Sequence, residues 1–272
     1  MTARVCLIAR LLILAACFTA PAMASDGVVR LAVTTTTDNT GLIEYLIPAF
    51  EQTSGITVRV MAGGTGKALR LLVNGDVDIA LTHAPSREIP LVEAGTAIDR
   101  FEIMHNDFVI VGPQTDPANV SSTDTAAQAL AAIARGRQPF ISRGDDSGTH
   151  DREKHLWMLA DTIPSGTWYL QAGQGMAQTL QIAAELGAYT LSDRATWSKF
   201  RRSMPLEILF EDRKNLRNIY SVISADPDNS PGMNQAGARS LNRWLRSGDA
   251  ARLISDFRID GYRPFIPMAT AR

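Results

Sequence analysis

The chain has 272 residues, is 45% hydrophobic and 20% charged, and carries a formal net charge of −1. That composition excludes a disordered or fibrous chain and is ordinary for a globular protein. With no basic excess it has no general attraction for nucleic acid or anionic lipid, so any anion it takes must be held by a few local groups.

Residues 1–24 have the form of a secretion signal. Arg4 and Arg10 supply the positive start, Leu11 to Ala16 open an apolar stretch, and Ala22-Met23-Ala24 is a small-x-small cleavage site. Cleavage after Ala24 is the expected processing and places the mature protein in the periplasm. Leu14-Ala15-Ala16-Cys17 offers a competing site that would leave a lipid anchor on Cys17. The two cysteines, Cys6 and Cys17, both fall in this segment, so a mature chain without disulfides or thiolate chemistry is expected.

The rest of the chain alternates strand and helix patterns. Val28 to Val33 reads as a strand. Gly41 to Thr53 reads as a helix, with Leu42, Ile43, Leu46, Ile47 and Phe50 at helical spacing and Pro48 interrupting it. Ile56 to Met61 is a strand, Lys67 to Val73 a short helix, and Val77 to Leu81 a buried strand. Phe101 to Met104 and Phe108 to Val111 read as two strands with Asn106-Asp107 between them. This βαβαβ order predicts a mostly parallel sheet covered by helices.

A second unit follows. Helices are expected at Thr125 to Arg135, Thr149 to Ala160, Met176 to Leu186 and Arg194 to Phe200. Strands are expected at Pro139 to Ser142, Tyr189 to Leu191 and Leu206 to Phe210. The chain closes on a strand, Ile219 to Ser224, and helices at Gln235 to Ser247 and Ala250 to Phe257. Two α/β units of ordinary domain size result, with crossings near Val111-Gly112 and near Tyr220. The expected division is residues 25–111 with 220–272 in one lobe and 112–219 in the other. A ligand would sit in the cleft, beyond the carboxyl ends of the strands.

The chemistry concentrates in Arg143-Gly144-Asp145-Asp146-Ser147-Gly148-Thr149, where a strand gives way to a helix. The first N–H groups of a helix lack acceptors and carry partial positive charge, a ready place for an oxyanion. Arg143 adds a planar fork of donors that stays charged. Ser147 and Thr149 add hydroxyls, although Ser-Gly-Thr also suits an ordinary N-cap. The run Thr34 to Thr37 ends the first strand pattern and supplies more hydroxyls. Gly63-Gly64-Thr65-Gly66-Lys67-Ala68 resembles a phosphate loop. It lacks the glycine five residues before Gly-Lys and the hydroxyl after Lys, so nucleotide binding is rejected, while Thr65 and the loop backbone remain candidates for an anion. Gly173-Gln174-Gly175 is a weaker candidate of the same kind.

His83, His105, His150 and His155 show no metal-ligand spacing. Ser147 with Asp146 and His150 invites a hydrolase reading, but they lie too close along one helix start for a triad, and there is no Gly-x-Ser-x-Gly elbow. The chain therefore reads as a binding protein, without enzymatic activity, metal or cofactor of its own.

Several long strings carry a resemblance. They are L-A-V-T-T-T-T-D-N-T-G-L (31–42), G-G-T-G-K-A-L (63–69), H-A-P (83–85), N-D-F-V-I-V-G-P (106–113), S-R-G-D-D-S-G-T-H (142–150), P-S-G-T-W-Y (164–169), A-G-Q-G-M (172–176) and G-A-Y-T-L-S-D-R (187–194). Through them the chain resembles the tungstate-binding periplasmic proteins of bacterial ABC importers. The resemblance implies a type II periplasmic binding fold whose two α/β lobes close over one tungstate or molybdate ion. It further implies delivery to a membrane permease with a separate ATPase, and we expect a monomer.

The family's first motif is Thr-Thr-Thr-Ser; here Val33-Thr34-Thr35-Thr36 stands in its place. Hydroxyls remain at Thr34, Thr35 and Thr36. The candidate oxyanion ligands are Thr34, Thr35, Thr65, Arg143, Ser147, Gly148 and Thr149. Phosphate-binding relatives place an acid where this chain has Thr82-His83, and a site rich in donors and poor in acceptors suits an unprotonated dianion. A buried carboxylate would repel such an ion, so Asp145 and Asp146 should point away or orient Arg143. The alternatives are a phosphate or sulfate carrier of the same fold, a secreted serine hydrolase, and an ion sensor partnered with a signalling protein.

Overall fold

Strands whose alternate residues enter two different cores organise the chain. In β1 (Val28–Thr34), Val29, Leu31 and Val33 belong to one core and Ala32 to another. Successive side chains point to opposite faces, so a strand apolar on both must be covered on both. The computed structural model describes residues 27–268. The leader, its cleavage sites and both cysteines lie outside them.

After β1 the chain forms α1 (Thr35–Asn39), α2 (Leu42–Ser54), β2 (Thr57–Gly63), α3 (Thr65–Val73), β3 (Ile79–Thr82), α4 (Pro85–Glu93) and β4 (Ala97–Pro113). It continues through α5 (Ala126–Arg135), β5 (Phe140–Ser142), α6 (Gly148–Leu159), β6 (Tyr169–Gln171), α7 (Met176–Leu186), β7 (Thr190–Asp193), α8 (Arg194–Phe200) and β8 (Leu206–Glu211). It returns through β9 (Arg217–Ala225), α9 (Gln235–Leu245), α10 (Gly248–Asp256) and β10 (Ile266–Pro267).

The main sheet runs β10-β4-β9-β3-β1-β2, and β7 and β8 pair with β4. β1 is parallel to β2 and β3, whereas β9 is antiparallel to both β3 and β4. The mostly parallel sheet expected from element order is thus a mixed one. A strand from late in the chain inserts between β3 and β4, and local sequence carries no sign of so distant a pairing.

A second difference concerns Asn106-Asp107. They do not separate two strands; they lie within one 17-residue strand, β4. Up to Asp107 that strand pairs with β9, and from Phe108 it pairs with β7 and β8. Both polar side chains are buried and partnered. Asn106 Nδ2 donates to Tyr220 Oη at 3.4 Å, and Asp107 accepts from Arg194 Nε and Nη2 at 2.8 and 2.6 Å. Arg194 Nη2 also contacts Glu211. A bidentate, nearly solvent-free ion pair therefore sits where β4 changes partners.

On either side of this crossing the cores are built alike. Leu46 and Phe50 of α2, Leu241 of α9 and Ile254 of α10 cover one face of the first half, and Leu69 and Leu72 of α3 cover the other. In the second half Phe108 and Ile110 face α5 and α6 through Leu130, Ile133 and Trp157. Val109 and Val111 face α7 and α8 through Met176, Leu180 and Trp197. Burying each such side chain contributes about 1.5–3 kcal/mol before the entropy of ordering is counted.

Candidate functional site

The N-terminus of α6 is formed by local chemistry. Ser147 is its N-cap, its Oγ accepting the His150 N–H at 3.2 Å. Before it, Gly144 and Asp146 adopt left-handed φ values of 60° and 55°. A Cβ on Gly144 would come within 2.8 Å of Gln171 Cβ, so glycine is required there for space as well as for its dihedral. This tight turn leaves Arg143, just past the end of β5, almost fully buried at 1% exposure. Asp145 folds back onto it, contacting Arg143 Nη2 and accepting the Ser147 N–H at 3.2 Å. Asp146 is exposed and lies near Lys154. The two acids thus behave as the sequence suggested, one orienting Arg143 and the other facing solvent.

Arg143 reaches across to the first half. Its Nη1 donates to Thr36 Oγ1 at 3.1 Å, with Thr149 Oγ1 3.5 Å away. Beside it, the Gly148 N–H donates to Thr65 Oγ1 at 3.2 Å. Thr36, Thr65, Arg143, Gly148 and Thr149 therefore converge, with Ser147 fixing the helix start beneath them. Thr34 serves α1 instead. Its Oγ1 is 2.7 Å from Thr37 Oγ1 and caps the helix by accepting the Thr37 N–H. Thr35 is half-buried and makes no side-chain hydrogen bond among the described residues. Thr36, left out of the candidate set, is the hydroxyl of the run that meets Arg143. A short helix in place of extended chain after Thr34 causes the change, and four consecutive β-branched residues hide it.

The same region holds the two halves together. A Cβ on Gly148 would fall 2.8 Å from the His83 carbonyl oxygen and 2.9 Å from its Nδ1, so only glycine allows this approach. Arg87 of α4 pairs with Asp151 of α6, Nη2 to Oδ1, at 2.8 Å, and Lys199 Nζ contacts the Asn39 carbonyl.

Beneath the cluster lies a buried polar floor. His83 Nδ1 is 2.9 Å from Asn218 Oδ1, and its ring stacks on Tyr220 at 4.9 Å. Burial, reinforced by the Arg143 charge, pushes His83 down to about 4, so it is neutral at physiological pH. An acid does lie near Thr82-His83, but Glu88 is already committed. Its Oε1 accepts from Thr82 Oγ1 and Ala84 N, both at 2.7 Å, and its Oε2 accepts from Arg100 Nε at 2.9 Å. Two further buried carboxyls were not among the candidates. Glu153 accepts from Trp157 Nε1 and Tyr169 Oη at 3.1 and 2.9 Å, and burial raises it to about 7. Asp193, at the end of β7, is fully buried. The hydrolase arrangement does not assemble: Ser147 Oγ serves the His150 amide, while His150 Nδ1 accepts the Asp146 N–H at 3.2 Å. No group of His, Cys, Asp and Glu that could hold a metal ion occurs among the described residues, and no helix there is long and apolar enough to cross a membrane.

With this geometry in hand, the relatives become informative. A family model described as a PBP superfamily domain matches residues 21–247. The tungstate-binding protein TupA of Peptoclostridium acidaminophilum is 39% identical over 240 residues, which cover 88% of this chain and 84% of the relative. The solved structure of the tungstate binding protein TupA from Desulfovibrio alaskensis G20 shares 44% identity over 89% of this chain and 99% of its own, with a TM-score of 0.77. The chain belongs to the TupA family within the PBP superfamily. A solved tungstate ABC transporter structure from Geobacter sulfurreducens agrees with this TupA assignment, at 40% identity, 85% and 98% coverage and a TM-score of 0.78. The periplasmic binding fold implied by the sequence resemblance is the fold of this TupA-family chain.

Proposed function

We propose that this protein captures one tungstate or molybdate ion outside the cytoplasm and hands it to the permease of an ABC importer, which a separate ATPase powers. The observation that carries the reading is the convergence of buried Arg143 with Thr36, Thr149 and the Thr65–Gly148 contact across the two halves. Tungstate and molybdate are unprotonated dianions and want donors. Arg143 supplies the charge, and hydroxyls that accept from its guanidinium keep their own O–H free to donate onward. The ion replaces Thr65 Oγ1 as the acceptor of the Gly148 N–H, so loading and closure share the same groups. The relatives named for tungstate are 39% and 44% identical to this chain over most of its length.

Residues before and after the β4 and β9 crossing act as two lobes in this proposal. The sequence boundary near Val111-Gly112 lies inside the second part of β4, and the partner change at Asp107 and Phe108 is where we place the hinge. The mature protein is released to the periplasm by cleavage after Ala24 and acts as a monomer. Thr65, Arg143, Ser147, Gly148 and Thr149, together with Thr36, form the site. Thr34 supports it through α1, and Thr35 borders it.

Calorimetric titration with tungstate, molybdate, sulfate and phosphate tests this. One-to-one binding of tungstate with phosphate silent supports it; tight phosphate binding would overturn it. Two variants separate roles within the site. Thr36→Val should weaken tungstate binding by about 1.5–3 kcal/mol, the usual cost of losing a hydrogen bond to a charged group. Thr34→Val should chiefly lower stability, by about 0.5–2 kcal/mol, through the lost cap. Equal affinity losses in the two would contradict the assignment. Gly148→Ala should cost closure about 1–3 kcal/mol by overpacking against His83. Small-angle scattering with saturating tungstate would then show a more open particle than the wild type.

A further inference from the structure

A dianion site built on Arg143 has a charge problem. One guanidinium faces two carboxyl groups. Asp145 touches it directly. Asp193 ends β7, and Thr190 of that strand and Tyr189 just before it hydrogen-bond to Ile141 of β5, the strand that leads into Arg143. Adding a dianion to one cation and two carboxylates would leave a large excess of buried negative charge, which proteins avoid by neutralising a group. Neutralising a carboxyl beside Arg143 relieves that excess when the ion is bound.

Their surroundings decide which. Asp145 is 17% exposed, holds an ion pair with Arg143 and accepts a backbone N–H from Ser147, so its oxygens are partnered or reach water. Asp193 is fully buried. Its Oδ1 accepts the Thr196 N–H at 2.9 Å, while its Oδ2 is buried without a hydrogen-bond partner. As a carboxylate that oxygen carries unpaired charge out of water. As a carboxylic acid it carries no charge to leave unpaired, and the buried Thr196 hydroxyl on the same helix start can accept from it as readily as it can donate to the ionised form.

Among the described residues, the groups named on the neighbouring elements bring no second unpaired charge to Asp193. Phe108, its strand partner on β4, is apolar. Asp107 and Arg194 are paired with each other, and Tyr220 on β9 is a buried phenol. Burial raises the Asp193 carboxyl above its ordinary range, and Arg143 is the charge that opposes this rise.

We propose that Asp193 becomes a neutral carboxylic acid when the ion binds and so sets the site's preference for unprotonated dianions. This rests on the oxyanion reading above. The docked dianion cancels the Arg143 charge that favoured the ionised form, and Asp193 takes one proton from solvent. In that state it offers no carboxylate to accept the O–H of hydrogen phosphate. Capture of one dianion is thus coupled to uptake of one proton.

The test is calorimetry of the whole mature protein with sodium tungstate, between about pH 6 and pH 8.5, in buffers of different ionisation enthalpy. The expected result is net uptake approaching one proton per ion. Affinity should fall as pH rises, by up to roughly tenfold per pH unit. Asp193→Asn keeps an N-cap and imitates the neutral acid; it should bind tungstate at about pH 8 at least as well as the wild type and lose the slope. Glu153→Gln controls for the other buried carboxyl on this side of the molecule and should retain the slope. Tungstate binding with no proton uptake, or an unchanged slope in Asp193→Asn, would overturn the proposal and leave the oxyanion reading standing. No tungstate binding by the wild type would remove both. The proton count needs only the wild-type protein, so a variant that fails to fold does not protect the idea.

Discussion

Arg143→Ala removes most of the affinity for tungstate, by about 2–5 kcal/mol, the range for truncating one partner of a buried, hydrogen-bonded charge pair. That corresponds to a dissociation constant roughly 30-fold to several thousand-fold weaker. The size of the effect follows from the surroundings. Arg143 is 1% exposed, so no water replaces its charge. Its loss frees Asp145 from its ion pair and strips Thr36 and Thr149 of the donor that orders their hydroxyls. Arg143→Lys keeps a positive charge but loses the planar fork. It should recover part of the affinity while discriminating less well between tungstate and sulfate. Titration of the three proteins under one buffer condition decides this, and an unchanged dissociation constant in Arg143→Ala would sink the site.

The second large effect is on stability. Arg194→Ala should lower the free energy of unfolding by about 3–5 kcal/mol, because it leaves Asp107 buried without its partner. Glu211 is half exposed and can return to water; Asp107, in mid-strand at the crossing, cannot. If uncompensated charge is the cause, Asp107→Leu combined with Arg194→Met should be less destabilising than Arg194→Ala alone, since an apolar pair of similar bulk replaces both charges. Urea unfolding followed by fluorescence measures all three. A loss under about 1 kcal/mol for Arg194→Ala would place the pair among the weak surface bridges instead.

These predictions draw unequally on the sequence. The start of α6 was legible because its chemistry is local: Ser147 caps, Arg143 precedes, and the glycines admit the turn. Helices with a clear apolar stripe, such as α2 and α7, were legible for the same reason. The insertion of β9 between β3 and β4 was not, since it depends on residues more than a hundred positions apart. Asn106 and Asp107 carried a turn signal that tertiary partners overrode, with Tyr220 and Arg194 bonding to them inside a continuous strand. Within the site, the cluster was readable but the threonine was not. Four successive threonines look alike until Thr34 is seen to cap α1, which turns Thr36 toward Arg143. Asp193 was not singled out in the sequence; in the structure it caps α8, and its full burial and unpartnered Oδ2 distinguish it.

The site's location is the central claim, and tungsten itself reports it. Crystals of the mature protein grown with tungstate should give one dominant anomalous peak at the tungsten absorption edge. We expect it within hydrogen-bonding reach, through its oxygens, of Arg143, Thr36, Thr65 and the first residues of α6. A fully occupied peak elsewhere, with Arg143 still closed on Thr36, would contradict the account.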